Sequence, residues 1–152
     1  MTIKPCDDAA LLASFHRDVQ EAHHQWYPEL FKPFDHAVMT CMIKQQVAST
    51  AHFFYVAYLD ASPCGFVHLE DSHRDENAIM YERHFMECAA IAVLPDAQKL
   101  GVGRFMLHAA EHLAKEKGYK GISLNFWSAN QVQSFYEDAG YQIFRQCAFK
   151  GL

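Results

Sequence analysis

One segment, in which an apolar strand, a glycine-containing loop and a helix follow one another, constrains the fold of this chain most. Residues 83–94 are mostly apolar and long enough for a central strand. Gly101 and Gly103 then precede a stretch whose apolar residues recur with helical spacing from Val102 to Leu113. A further apolar run follows at 121–127. Because a helix connects the two runs, the segment predicts two parallel strands of an α/β sheet.

The rest of the chain completes the predicted fold as one domain over residues 1–152. Asp7 or Asp8 and Asp35 can cap two helices before the sheet, and a capping box at Ser128 can open a last one. The polar stretch 71–77 is predicted to be a loop. We expect an α/β sandwich with about four helices and a mixed, largely antiparallel sheet of about six strands. The predicted strands are 3–6, 52–59, 66–70, 83–94, 121–127 and 141–149.

Composition narrows the possible partners. The net charge is −5, with 13 Lys and Arg and no basic tract, which disfavours nucleic acid and suits a small cationic partner. No apolar run approaches the ~20 residues of a membrane span, and the N-terminus lacks the apolar core of a signal peptide. The five cysteines include no C-x-x-C pair, which favours reduced thiols in the cytoplasm.

The glycine loop predicts an anion site, because the first N–H groups of a helix are free and lie at its positive end. A P-loop is excluded, since Arg104 and Phe105 stand where lysine and a hydroxyl residue are required. A dinucleotide fingerprint is excluded too, since Met106 replaces its third glycine. The remaining pattern is Gln-x-x-Gly-x-Gly, from Gln98 to Gly103.

A second motif lies downstream, where Asn130 is followed by Phe135-Tyr136-Glu137 and then by Gly140-Tyr141. Together the two motifs resemble those of the GNAT superfamily of acyl-coenzyme A-dependent N-acyltransferases, with Gln133 where an alanine is usual. The resemblance extends over nearly the whole chain and is sharpest at 85–141. It implies acetyl-CoA as co-substrate without a metal, a primary amine as acceptor, and direct attack in a ternary complex.

The resemblance also implies which residues hold the coenzyme. Residues 91–93 would offer backbone groups to pantetheine, residues 98–104 would bind the pyrophosphate mainly through main-chain N–H groups, and Asn130 would contact the coenzyme arm. The predicted coenzyme residues are therefore Ile91, Ala92, Val93, Gln98, Lys99, Leu100, Gly101, Val102, Gly103, Arg104 and Asn130.

Acyl transfer to an amine needs a base, because an alkylamine with a pKa of ~10.4 is protonated at neutral pH. Glu87 is the candidate base: it interrupts an apolar strand, where strict alternation places it with Phe85, Ala89, Ile91 and Val93. Its structural alternative is a strand-end carboxylate that pairs with Arg83 or reaches solvent. Tyr136 is the candidate acid for the leaving thiolate, which has a pKa of ~8.5. Its alternative is an ordinary core aromatic.

The site for the amine acceptor is predicted from two groups of residues. Aromatic residues lie near the connection between the first two predicted helices, and acidic residues flank the middle strands. A polyamine, another primary amine, or a lysine or N-terminal amine of a peptide would suit it. The candidate residues are Trp26, Tyr27, Phe31, Phe34, Glu70, Asp71 and Glu82. A homodimer is also plausible, because a short last strand leaves a sheet edge to cover.

Two other functions compete with the enzyme. A coenzyme-binding module could sense acyl-CoA without turnover. The sequence His108-Ala-Ala-Glu111-His112 matches a zinc-hydrolase signature, although the helix that carries it directs Glu111 away from the core. His23, His24, His68, His73 and His84 are interpreted as surface or hydrogen-bonded residues, so no metal ligand is predicted.

Overall fold

The core of the fold is a single sheet whose strands follow one another in chain order. The computed structural model describes residues 1–151, and within them the sheet has five strands in the order β1-β2-β3-β4-β5. All neighbouring strands are antiparallel except β4 and β5. The strands are β1 (Thr2–Pro5), β2 (His52–Leu59), β3 (Ser62–Arg74), β4 (Arg83–Val93) and β5 (Ile122–Leu124). This architecture confirms the predicted mixed sheet and its parallel pair.

Helices cover both faces of the sheet. In the described residues these are α1 (Ala9–Trp26), α2 (His36–Val47), α3 (Val102–Glu116) and α4 (Gln133–Asp138), with a short 3₁₀ turn at Pro95–Ala97. Helices α1 and α2 pack on the face that carries Phe54, Val56 and Phe66. Helix α3 packs on the other face, which carries Val67, Leu69 and Met86 among others. We call these the α1 face and the α3 face.

The helix boundaries follow from local chemistry. The Asp8 carboxylate accepts hydrogen bonds from the N–H groups of Ala10 and Leu11, both at 3.0 Å, and thereby caps α1. Asp35 caps α2 in the same way through Val38 N at 3.0 Å. No helix within residues 1–151 combines the length and the apolarity that crossing a bilayer requires.

Three predictions about the ends of elements are wrong. Residues 71–74 continue β3, because Arg83 to Met86 of β4 pair with them. The capping box does not form: successive turns join Asn130 to Trp127 and Val132 to Asn130, so α4 begins only at Gln133. The segment 141–149 is not a strand, since β5 has only three residues to pair with it and Phe144 is 79% exposed.

Candidate active site

Strands β4 and β5 separate, and the separation opens a cleft in the sheet. Strand β5 pairs only with Met86, Glu87 and Cys88, whereas β4 continues to Val93. On the edge of β4 that faces β5, residues 89–93 have no neighbouring strand within the described part of the chain. Apart from the Val93 carbonyl, which accepts a hydrogen bond from Gln98, the backbone groups that point there can bind an extended ligand. This is where the sequence predicts that pantetheine lies.

A β-bulge in β4 decides which side chains face each side of this cleft. His68 pairs with Ala90, but the next residue, Leu69, pairs with Cys88, so Ala89 is an extra residue in β4. The bulge reverses the alternation. Glu87 therefore shares the α1 face with Ala90 rather than with Ile91 and Val93, and the predicted grouping of Glu87 with Ala89, Ile91 and Val93 is wrong.

Glu87 is half-buried at the start of the cleft and has a specific partner. The side chain of Asn125 donates a hydrogen bond of 2.9 Å to Glu87 Oε1. Asn125 follows directly after β5, and the parallel register pairs Glu87 with Ser123. Arg83, the alternative partner considered from the sequence, makes no ion pair with Glu87 in residues 1–151. Sequence reasoning did not identify Asn125, because it placed this residue inside a predicted strand over 121–127, whereas β5 ends at Leu124.

The glycine loop presents an uncapped helix start. Gly101 is the N-cap residue of α3 and has a φ of +83°. No side chain accepts a hydrogen bond from the first N–H groups of this helix. Lys99 also has a positive φ, of 62°. The first N–H groups of α3 thus lack side-chain acceptors, as an anion site requires. Gln98 donates from Nε2 to the carbonyl of Val93 at 3.2 Å and so ties the loop to the end of β4.

Gly103 has a packing role that the sequence did not reveal. A Cβ atom there would lie 3.3 Å from Cζ of Phe135, so the glycine lets α4 approach the start of α3. Tyr136 follows Phe135 and packs against its ring, so it belongs to the same packed region. The two motifs, 98–103 and 130–141, are therefore parts of one packed unit.

Tyr136 lies on the α3 side of the sheet. It is 7% exposed, and its ring packs against Phe126, Phe135 and Tyr141. Burial, with a smaller contribution from the neighbouring Cys88, raises the pKa of Tyr136 to about 12. Cys88 belongs to the α3-face core, whereas Glu87 faces the opposite side. The two predicted catalytic residues thus come from opposite faces of the sheet at the point where β4 and β5 separate.

The aromatic residues predicted for the acceptor side form one cluster together with a residue that the sequence analysis missed. Trp127, just after β5, packs against Tyr27 and Phe31 at centroid distances of 5.1 and 4.9 Å. His23 links Trp26 and Phe31 to the same group. We call Trp26, Tyr27, Phe31 and Trp127 the aromatic cluster. Phe34 does not join it and instead packs under Arg17.

The acidic candidates are divided between the two faces. Glu70 pairs with Glu87 across β3 and β4, so both carboxylates lie on the α1 face. Asp71 is on the α3 face, where His84 Nε2 lies 2.8 Å from its Oδ1. Glu82 lies near His73 at 3.7 Å. Of these residues only Glu70 is placed beside the candidate base.

The zinc-hydrolase signature is not assembled into a metal site. His108 Nδ1 contacts Glu111 Oε2 at 3.3 Å, and His112 contacts Glu116 at 3.4 Å, so the two histidines have separate partners. Within residues 1–151, these residues form no cluster with the spacing of metal ligands. The side chains of His108 and His112 are 65% and 73% exposed.

Comparison with known proteins identifies the family and the fold of the chain. The family model described as an acetyltransferase (GNAT) domain matches residues 50–143. A mutant of the BH1408 protein from Bacillus halodurans has a similar fold, with a TM-score of 0.92, 18% identity, and coverage of 100% of this chain and 99% of that one. The aminoglycoside 6'-N-acetyltransferase AAC(6')-Ig from Acinetobacter haemolyticus aligns with a TM-score of 0.71, 18% identity, and coverage of 100% and 98%. The aminoglycoside N-acetyltransferase AAC(6')-Iy, in complex with CoA, aligns with a TM-score of 0.69, 15% identity, and coverage of 99% and 98%.

Proposed function

The chain belongs to the GNAT family of acetyltransferases, and from this membership we propose that it transfers an acetyl group from acetyl-CoA to a primary amine. The proposed reaction is direct attack of the amine in a ternary complex, within one domain over residues 1–152. The observation that carries the proposal is the position of Glu87 and Tyr136 on opposite faces of the sheet, at the separation of β4 and β5.

Acetyl-CoA would bind along the open side of β4. The free backbone edge of residues 91–93 suits pantetheine, and the uncapped start of α3 suits the pyrophosphate. The loop 98–104 and Asn130 complete this proposed site. CoA bound to AAC(6')-Iy, a protein of the same fold, supports the choice of ligand.

Glu87 is the proposed general base, acting directly or through a water molecule. Its half-buried carboxylate is oriented by Asn125 and faces the α1 side, from which an acceptor can approach. Removal of a proton from the ammonium group frees the lone pair that attacks the thioester carbonyl. A positioned base of this kind contributes about 10²–10⁴-fold to the rate.

Tyr136 is the proposed acid at the sulfur atom. Because burial raises the pKa of Tyr136 to about 12, its hydroxyl group is protonated throughout the physiological range. Complete proton transfer to a thiolate with a pKa of ~8.5 is uphill from such a group. Tyr136 therefore stabilises the developing thiolate mainly as a hydrogen-bond donor while negative charge accumulates on sulfur.

The acceptor would enter between α1 and the sheet. The aromatic cluster offers ring faces to a cation, and Glu70 adds negative charge beside Glu87. The aminoglycoside acetyltransferases of the same fold support a small amine as acceptor. The cytoplasmic location, the homodimer and the expectation that neither nucleic acid nor membrane is a partner stay predictions from the sequence.

The proposal is tested by measuring thiol release from acetyl-CoA with a panel of polyamines, aminoglycosides, peptides and simple alkylamines. We expect at least one amine to raise thiol release above background hydrolysis and to gain an acetyl group by mass spectrometry. Glu87→Gln should lower kcat by about 10²–10⁴-fold without weakening CoA binding, whereas the exposed control Glu76→Gln should leave kcat unchanged. Tight CoA binding without turnover of any amine would instead favour the sensing module.

A further inference from the structure

Three side chains of β2 and β3 converge on one point of the α1 face, and one of them, Glu70, also belongs to the proposed acceptor side. His52 Nδ1 lies 3.0 Å from His68 Nε2, and each of these atoms lies 3.4 Å from Glu70 Oε1. The pairing of His52 with Glu70, and the two-residue spacing of His68 and Glu70, place all three side chains on the same face. From this geometry we propose that His52, His68 and Glu70 bind a divalent transition metal ion of the zinc class.

The separations of the three atoms match the dimensions of such a site. A tetrahedral ion with metal–ligand bonds of ~2.0–2.1 Å has ligand atoms about 3.3–3.4 Å apart. The three measured separations, 3.0, 3.4 and 3.4 Å, are all near that value. Little movement of the side chains is therefore needed to coordinate the ion.

Hydrogen bonding satisfies only part of this arrangement. If both ring nitrogens carried protons, two N–H groups would oppose each other at 3.0 Å. If only one did, it would donate a hydrogen bond to the other, and Glu70 Oε1 would lie 3.4 Å from the accepting nitrogen with no proton between them. A divalent cation accepts all three lone pairs at once. Two imidazoles and one carboxylate favour zinc-class ions over magnesium and calcium, which prefer oxygen ligands.

The surroundings keep His68 ready for coordination. His68 is 4% exposed, and its ring stacks on Phe54 at 4.0 Å, which fixes its orientation. The fixed ring holds Nε2 in place beside His52 Nδ1 and Glu70 Oε1, so this ligand atom does not have to reorient when an ion binds.

Solvent can still reach the site. The side chains of His52 and Glu70 are 23% and 33% exposed, which gives an ion a path of entry and leaves a fourth position for water. Since the ligands come from two adjacent strands, the ion would cross-link β2 and β3. No sequence motif predicts the site, because His52 and Glu70 are brought together only by the pairing of β2 with β3.

The test is titration of tag-free, metal-free protein with cobalt(II), followed by displacement with zinc. We expect one equivalent of cobalt to give the visible absorption bands of a tetrahedral site, and one equivalent of zinc to remove them. Zinc at about 100 times its Kd should raise Tm by about 5–10 °C. Neither readout depends on acetyl transfer, so failure here leaves the proposed reaction untouched.

Variants separate this site from adventitious binding by surface histidines. His52→Asn and Glu70→Gln should each weaken cobalt binding by more than about 10-fold, since even outer-shell partners of ligands contribute ~10–100-fold. The exposed control His112→Asn should bind cobalt like the wild type. The proposal is overturned if the wild type shows no tetrahedral bands and no zinc-dependent rise in Tm. It is equally overturned if both ligand variants keep the bands or if His112→Asn loses them.

Discussion

Asn125 donates a hydrogen bond of 2.9 Å to Glu87 and thereby links the end of β5 to the candidate base on β4. A carboxylate that accepts such a bond has one oxygen held in place and the other free for a proton. The link also spans the two strands at the point where they begin to separate. Asn125 is therefore a positioning residue for the proposed reaction.

Asn125→Ala should lower kcat for acetyl transfer by about 10-fold, because the carboxylate loses its fixed orientation. The KM for acetyl-CoA should stay the same, since Asn125 contacts the base and not the proposed coenzyme site. Steady-state kinetics measures both constants. Gln131→Ala, an exposed change in the same connection, is the control. An unchanged kcat in Asn125→Ala would contradict the positioning role.

Tyr136→Phe should lower kcat by about 10²-fold while CoA affinity and folding are kept, since only one hydroxyl group is removed. Burial raises the pKa of Tyr136 to about 12, above its unfolded value, so the group stays protonated below that pH. The ratio of the wild-type kcat to the kcat of Tyr136→Phe should therefore be constant from about pH 6 to pH 10. Tyr81→Phe, whose side chain is exposed, is the control. A ratio that falls to one near pH 9 would contradict the role of Tyr136 as the hydrogen-bond donor to sulfur.

Gly101→Ala and Gly118→Ala form a matched pair, because both glycines have a positive φ, of 83° and 81°, and open space around an added Cβ atom. Each change should lower the free energy of unfolding by about 1–2 kcal/mol through backbone strain. Only Gly101 starts α3, so only Gly101→Ala should weaken CoA binding. Urea unfolding and calorimetric titration with CoA test the pair, and equal CoA affinities in the two variants would count against the proposed pyrophosphate site.

His16→Phe should make the stability less dependent on pH. Burial lowers the pKa of His16 to about 4, and its Nε2 is buried without a hydrogen-bond partner in the described residues. A depressed folded-state pKa contributes stability that is complete above ~6.5 and is lost as pH falls towards 4.

Between pH 7 and pH 5, the wild type should therefore lose about 2 kcal/mol more free energy of unfolding than His16→Phe does. The ring already packs against Phe66 at a centroid distance of 4.6 Å, with the two planes tilted by 53°, so phenylalanine keeps that contact. Urea unfolding at the two pH values measures the difference. Parallel losses in both proteins would refute the assignment of this pH dependence to His16.

Local sequence determined the elements whose signals lie within one short segment. The Asp8 and Asp35 caps, strand β2 and the glycine-started helix α3 were all predicted, because caps and periodic apolar residues act on their own neighbourhood. The family resemblance rested on two such local motifs, and the match of the family model to residues 50–143 confirms it. Glu87 and Tyr136 were candidates for the same reason.

Only the tertiary structure decided what depends on a partner strand. Strand β3 pairs with β4 both before and after Ala89, which leaves Ala89 as a bulge. The bulge places Glu87 on the α1 face. The same pairing extends β3 through the predicted loop, and the shortness of β5 leaves residues 141–149 without a strand. Asn125 reaches Glu87, and His52 reaches Glu70, across neighbouring strands. Such contacts depend on the register between distant segments, and the pattern of one segment alone does not specify which residue of another segment pairs with it.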